Sequence, residues 1–314
     1  MKSRHLVDSE LLGTLDTLPT IDLTVELLPA IRATGLPLQF EAPAPDAADV
    51  MRRKVPGPEG APEVEVAIYK PRPCDASLPC ILHIHGGGYV TGSTAALEPI
   101  HRSLSVKANC CIVSVDYRLA PETRFPGAIE DCYAALSWLF KQAGELGVDS
   151  ARIGVMGESA GGGLAAALAL LARDRREHSL AFQHLIYPML DDRTCVAKNP
   201  HLFAGEFLWT AHNNAFGWSA LLGAAPGSAN VSPYAAAARA DDLSGLPPTF
   251  ISTGALDLFL EEDMEYARRL MRQGVPVELH VYPGAYHAFD FLTNARIAAA
   301  ARRDSLAALR RFLT

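Results

Sequence analysis

The chain has no long apolar run, no excess of positive charge and few cysteines. No stretch approaches the roughly 20 apolar residues that span a bilayer, so no integral membrane association is expected. The opening MKSRHLVDSELLG lacks the apolar core and small-residue cleavage site of a signal peptide. With 28 Lys and Arg against 35 Asp and Glu, the net charge of −7 disfavours nucleic acid and anionic membrane as partners. Cys74, Cys80, Cys110, Cys111, Cys132 and Cys195 are too few for a disulfide framework in a chain this long, and none has metal-ligand spacing. The expectation is a protein of the reducing cytoplasm with no metal site. No internal repeat or low-complexity tract is present.

What is present is ample apolar material. At 49% hydrophobic and 20% charged, 314 residues can bury one large core with some added cover. Apolar residues at three and four spacing over residues 6–33 suggest two short helices ahead of the core. The Pro- and Ala-rich stretch 41–62 contains a single candidate strand at 50–55. From residue 63, strand and helix alternate: EVEVAIYK, CILHIH, a helix over 98–107, CCIVSVDY, a helix over 127–140, ARIGVMG, a helix over 160–173, then AFQHLIYP. Residues 189–230 break the rhythm with aromatics, polar residues and glycines but no clear strand. The alternation resumes with PPTFIST, a helix over 261–273, PVELHVYP and a closing helix over 296–313. This is the pattern of an α/β fold, a mostly parallel sheet with helices on both faces, whose early strands can begin it antiparallel.

Gly157-Glu158-Ser159-Ala160-Gly161 is a GxSxG directly after a strand and directly before the helix AGGGLAAALALLA. That context places a serine on a strained strand-to-helix turn with its hydroxyl exposed. The second signal is His85-Gly86-Gly87-Gly88 at the end of CILHIH. Its glycines can aim Gly87 and Gly88 N–H groups, with that of Ala160, at a developing oxyanion. His85 reads as a loop anchor.

A serine hydroxyl needs an imidazole to take its proton, and the imidazole needs a carboxylate to fix its tautomer. Asp257 and His287 follow the ends of late strands, where an open α/β sheet places its site. His83, His184 and His280 lie within strands and are expected to pack. Glu261, Glu262 and Asp263 begin a helix and read as partners of its dipole, and Asp290 stands too close to His287 to orient its ring.

HGGGYVTGS, VDYRLAPETRFPGAIED, GESAGGGLAA, TGALDLFLEED and YPGAYHAF occur in the order found in the bacterial hormone-sensitive-lipase-like esterases, which the chain resembles over residues 60–314. FPGAIEDCYAAL and RADDLSGLPPTF look most like the heroin-esterase and acetyl-esterase branch. The resemblance implies an α/β-hydrolase fold with an eight-stranded sheet. It also implies a cap made of residues 1–45 and the insertion 189–230, around a core of residues 46–188 and 231–314. The nucleophile then falls on Ser159, the acid on Asp257, the base on His287, and the oxyanion donors on Gly87, Gly88 and Ala160. Two departures stand out: Glu158 where many relatives have Asp, and Leu258 where Pro is frequent. Asp116, Tyr117, Arg118 and Glu122 look like a buried ion network supporting the HGGG loop. The resemblance also leaves room for a homodimer joined through an edge strand or the final helix.

The expected chemistry is cofactor-free hydrolysis of a small-molecule ester with short to medium acyl chains, through an acyl-enzyme. Tyr89, Phe203, Phe207, Trp209 and Trp218, together with Phe216, are candidates to line the substrate pocket or to pack the cap onto the core. An amidase or thioesterase uses the same triad, and a receptor that has lost catalysis uses the same fold.

Overall fold

The computed structural model describes residues 2–18, 20–34, 47–72, 77–291 and 295–314, so Cys74 lies outside the described residues. The β-branched and apolar runs form the strands β1 (Ala48–Val55), β2 (Val64–Pro71), β3 (Leu78–Ile84), β4 (Cys111–Asp116), β5 (Val148–Glu158), β6 (Gln183–Ile186), β7 (Thr249–Gly254) and β8 (Val277–Tyr282). They make one sheet in the order β1-β2-β4-β3-β5-β6-β7-β8. β2 runs antiparallel to β1 and β4, and the other neighbours are parallel. β3 and β7 are buried along their whole length, which explains why their sequences do not alternate.

The helices are α1 (Ser9–Thr17), α2 (Leu28–Thr34), α3 (Glu98–Ala108), α4 (Gly127–Gln142), α5 (Ala160–Arg175), α6 (Ala211–Leu222), α7 (Leu260–Arg272) and α8 (Arg296–Phe312). α5 is buried on all sides from Ala160 to Ala172, so its run of alanine, glycine and leucine needs no polar face. It sits in the main core with β3, β5 and α4. His184 of β6 stacks on Phe250 at 4.2 Å and meets Ser305 of α8 at 2.8 Å through Nε2.

α6 lies inside the stretch 189–230, where the sequence shows no clear strand and a helical cap is expected. The Thr210 side chain caps it by accepting from the Asn213 N–H, and Gly217 lets it approach the main chain of Gly88: a Cβ there would lie 2.7 Å from Gly88 O. Trp218 and Leu221 of α6 are part of the main core. The amino-terminal segment straps across this region. Asn213 accepts from the Leu23 N–H at 2.9 Å and donates to Ile21 O at 2.8 Å, while the Tyr286 hydroxyl donates to Leu11 O at 3.3 Å.

Two ionic expectations are revised. Asp116, Tyr117, Arg118 and Glu122 do not form one buried network. Tyr117 donates to His85 O at 2.9 Å and Asp116 accepts from the Thr94 N–H at 3.1 Å, but Arg118 turns away to chelate Asp131 of α4. Glu122 is 63% exposed and pairs with Arg32 of α2. Of the three acids that begin α7 only Glu261 is exposed. Glu262 is buried and accepts the N–H groups of Leu190 and Asp191 and the Thr194 hydroxyl. It ties down the start of the insertion rather than serving the helix end alone.

Burial holds His184 down to about 3 from an ordinary 6.5. The unfolded chain takes up a proton as pH falls through 6.5 while the folded chain does not, so stability is fully present above 6.5. It is lost as pH falls toward 3, by at most ~1.4 kcal/mol per pH unit for this one ring. His184→Gln is therefore expected to show a shallower fall of Tm between pH 6.5 and 4 than the parent chain, measured by differential scanning calorimetry.

Candidate active site

Ser159 joins β5 to α5 with φ 55° and ψ −122°, in the left-handed half of conformational space that costs a non-glycine residue of order 1–3 kcal/mol. The glycines on either side make this turn possible. A Cβ on Gly157 would lie 2.2 Å from Gly161 O, and one on Gly161 would lie 2.0 Å from Ile84 O. The Ser159 N–H donates to Ile186 O at 2.9 Å, and Ser159 O accepts from Gly163 and Met189. The turn is thus pinned from β6 and from its own helix, and the hydroxyl projects above the sheet edge.

The topology brings the other groups to this edge. The connection leaving β3 runs to β4 on one side and the connection leaving β5 runs to β6 on the other, so a crevice opens between the carboxyl ends of β3 and β5. The HGGG loop follows β3 and Ser159 follows β5. Asp257 follows β7 and His287 follows β8. His287 Nε2 lies 3.0 Å from Ser159 Oγ, and its Nδ1 lies 2.8 Å from Asp257 Oδ2. Asp257 Oδ1 accepts from the Phe259 N–H at 3.0 Å, which fixes the carboxylate plane. All three side chains are buried. Tyr187 and Phe259 present ring edges to the imidazole at 4.7 and 5.3 Å and exclude water from it. Sequence order placed these three residues, and the structure brings them together.

Gly87 (φ 117°) and Gly88 (φ 61°) occupy backbone conformations that suit glycine. Among the described residues neither N–H has a protein acceptor, while Gly87 O accepts from Val90, Thr91 and the Thr91 hydroxyl. Ala160 is the first residue of α5, where a helix leaves its N–H unpaired. His85 is the anchor expected: its Nδ1 meets Gly86 O at 2.8 Å and its ring stacks on Tyr117 at 4.3 Å. Burial holds His85 below its usual range.

The aromatic candidates divide. Trp209 stands at the site: its indole lies where a Gly88 Cβ would be, 2.2 Å from that position, its ring is 6.1 Å from His287, and Nε1 donates to Asn214 at 3.1 Å. Tyr89 and Trp218 are fully buried and pack on each other at 5.2 Å, with the Tyr89 hydroxyl given to Met189 O. Phe207 packs on Tyr286 beneath α1, Phe216 packs with Leu23 and Leu28, and Phe203 is exposed between His5 and His201. Four of the five residues named for the pocket therefore serve packing or lie at the surface. A hydrophobicity pattern does not distinguish an aromatic over the serine from one beneath it.

Sequence reasoning expected His83 to pack within its strand and did not join it to Glu158, the departure noted before the nucleophile. Glu158 reaches across to His83 of β3, with Nε2 2.8 Å from one carboxylate oxygen, and His83 Nδ1 meets Ser114 of β4 at 3.1 Å.

A family model described as the α/β-hydrolase fold matches residues 81–291. The chain belongs to the α/β-hydrolase-fold family. Within it, the sequence is 34% identical over 312 residues to a carboxylesterase of Mycobacterium tuberculosis, covering 99% of this chain and 98% of that one. It is 33% identical over 227 residues to an ethyl acetate hydrolase of Pseudomonas putida, covering 71% and 70% of the two chains. Among solved structures, a bacterial heroin esterase aligns with a TM-score of 0.90 and 38% identity over 99% of both chains. The α/β-hydrolase fold and the esterase branch expected from the motifs are both met. No helix among the described residues is long and apolar enough to cross a membrane.

Gly88→Ala would push a methyl into Trp209 at a strained φ. It is expected to slow labelling of the chain by a fluorophosphonate about 100-fold, the scale of a lost oxyanion donor, with Tm lowered by only about 2–4 °C. Stopped-flow or gel-based labelling rates with parallel thermal melts check this.

Proposed function

We propose that this chain is a serine carboxylesterase in which Ser159 is the nucleophile, His287 the general base and Asp257 the orienting acid. The observation that carries the assignment is the unbroken hydrogen-bonded line from Ser159 Oγ through His287 to Asp257, lying beside unpaired N–H groups. Kinship with a carboxylesterase over nearly the whole chain supports the reaction class.

Ser159 Oγ attacks the ester carbonyl carbon as its proton passes to His287 Nε2. The carbonyl oxygen becomes an oxyanion held by the N–H groups of Gly87, Gly88 and Ala160. Collapse expels the alcohol, which takes the proton back from His287, and leaves an acyl-enzyme. Water then attacks the acyl carbon with His287 again as base, releasing the acid and restoring Ser159. Asp257 keeps Nδ1 protonated and stabilises the imidazolium in both halves.

The proposed substrates are esters of short acyl chains. Trp209 stands over Gly88 and close to His287, where it restricts the space beside the attacked carbonyl. The ethyl acetate hydrolase among the relatives supports the same reading. The straps from residues 20–34 to α6 support a cap over this crevice, built from the amino-terminal segment and the 189–230 insertion. Four free cysteines buried in the core fit a cytoplasmic protein.

Initial rates on p-nitrophenyl acetate, butyrate and decanoate test both levels. Turnover should fall beyond butyrate and vanish in Ser159→Ala; a Ser159→Ala protein with parental rates would overturn the mechanism, and a decanoate preference would overturn the acyl-length reading. Trp209→Ala is expected to raise kcat/KM for decanoate relative to acetate by about tenfold or more, tenfold being the low end of what one methylene of pocket space supplies.

A further inference from the structure

The parallel ladder between β3 and β5 ends at the Ile84–Gly157 pair, and beyond it Glu158 pairs with Ile186 of β6 instead. The two loops that carry the reaction, residues 85–88 and the turn at Ser159, thus leave the sheet with no main-chain ladder joining them. They nevertheless touch. A Cβ on Gly86 would lie 2.9 Å from Glu158 O and 3.4 Å from Ser159 Cβ. At such separations a shift of either loop by a fraction of an ångström changes where Ser159 Oγ stands relative to the oxyanion donors, and a misplacement of about 1 Å can cost 100-fold in rate.

One side-chain line crosses this gap. Glu158, the residue before the nucleophile, meets His83 Nε2 at 2.8 and 3.1 Å, and His83 Nδ1 meets Ser114 Oγ at 3.1 Å. His83, two residues before the HGGG loop, is fully buried, and Glu158 is nearly so. His101 of α3 closes over the His83 ring at 4.1 Å. The line therefore spans β5, β3 and β4 just below the loops. A carboxylate buried there costs free energy that an apolar residue of the same size would not, so the bond is a poor choice for stability alone.

We propose that Glu158 and His83 are positioning residues whose hydrogen bond clamps the nucleophile turn to the oxyanion loop and so fixes Ser159 Oγ against the Gly87 and Gly88 N–H groups. The proposal rests on the esterase reading above and adds the device that holds its two halves in register.

The clamp survives a change of protonation. Burial pushes the Glu158 carboxyl up to about 7 and holds His83 down to about 3, so the imidazole stays neutral at neutral pH. A protonated Glu158 donates to Nε2 while Nδ1–H donates to Ser114. An ionised Glu158 accepts from Nε2–H while the Ser114 hydroxyl donates to Nδ1. Either tautomer keeps both hydrogen bonds, and glutamine at 158 can make the first by donating its amide N–H to Nε2.

The test compares Glu158→Gln, Glu158→Met, His83→Phe and the Glu158→Met/His83→Phe double variant on p-nitrophenyl acetate, with kcat expressed per site titrated by a fluorophosphonate and Tm recorded for each. Ser159→Ala in the same assay reads the esterase assignment separately. The clamp predicts that Glu158→Met lowers kcat about 30-fold with KM within twofold, that Glu158→Gln stays within threefold of the parent, and that the double variant loses no more than the worse single. A purely structural role would lower Tm and the titrated fraction while leaving kcat per site unchanged, and that result overturns the proposal, as do losses that multiply in the double variant. Should Glu158→Met not fold, Ser114→Ala frees the far side of the His83 ring. A fall in kcat of about fivefold, restored in Ser114→Thr, supports the clamp, and an unchanged kcat overturns it.

Discussion

One strained residue organises this molecule. Ser159 can hold a positive φ only because Gly157 and Gly161 let β5, α5 and β3 approach to distances no side chain would allow. The cost is local and the compensation is distributed. The all-buried α5 packs against the sheet, and main-chain hydrogen bonds to Ile186 O and from the Gly163 and Met189 N–H groups hold the turn in place. Preorganisation at the site is in this sense the product of the whole core.

The same closeness explains why the catalytic groups come from distant parts of the sequence. The crevice lies where the strand order reverses between β3 and β5, and β7 and β8 then bring Asp257 and His287 to the same edge. They meet at short distances: imidazole to hydroxyl at 3.0 Å, imidazole to carboxylate at 2.8 Å. The buried surroundings strengthen these interactions and keep water from competing for them. Trp209 occupies the space above Gly88, so the group proposed to limit the substrate leans on the loop proposed to hold the oxyanion.

Much of this was legible before any coordinates. The strands announce themselves as β-branched runs, the GxSxG sits in register between strand and helix, and the order of Ser159, Asp257 and His287 follows from the ends of strands. What stayed hidden depends on neighbours that sequence does not name. α6 forms around a Thr210 cap and a glycine that faces Gly88, a fit invisible in a stretch of mixed polarity. Tyr89 and Trp218 look like pocket residues until each is found buried against the other. Glu262 looks like a helix-end charge until the insertion folds onto it, and Glu158 meets His83 only because β5 lies beside β3, a neighbour relation set by topology.

The central claim is that the acyl group passes through Ser159. Mixing the protein with p-nitrophenyl butyrate, quenching in acid within the first turnover and mapping the digested chain by mass spectrometry tests it directly. A butyryl group on the peptide carrying Ser159, absent when that residue is alanine, is the result expected; acylation at another residue, or turnover with no acylated peptide at any quench time, would contradict the account.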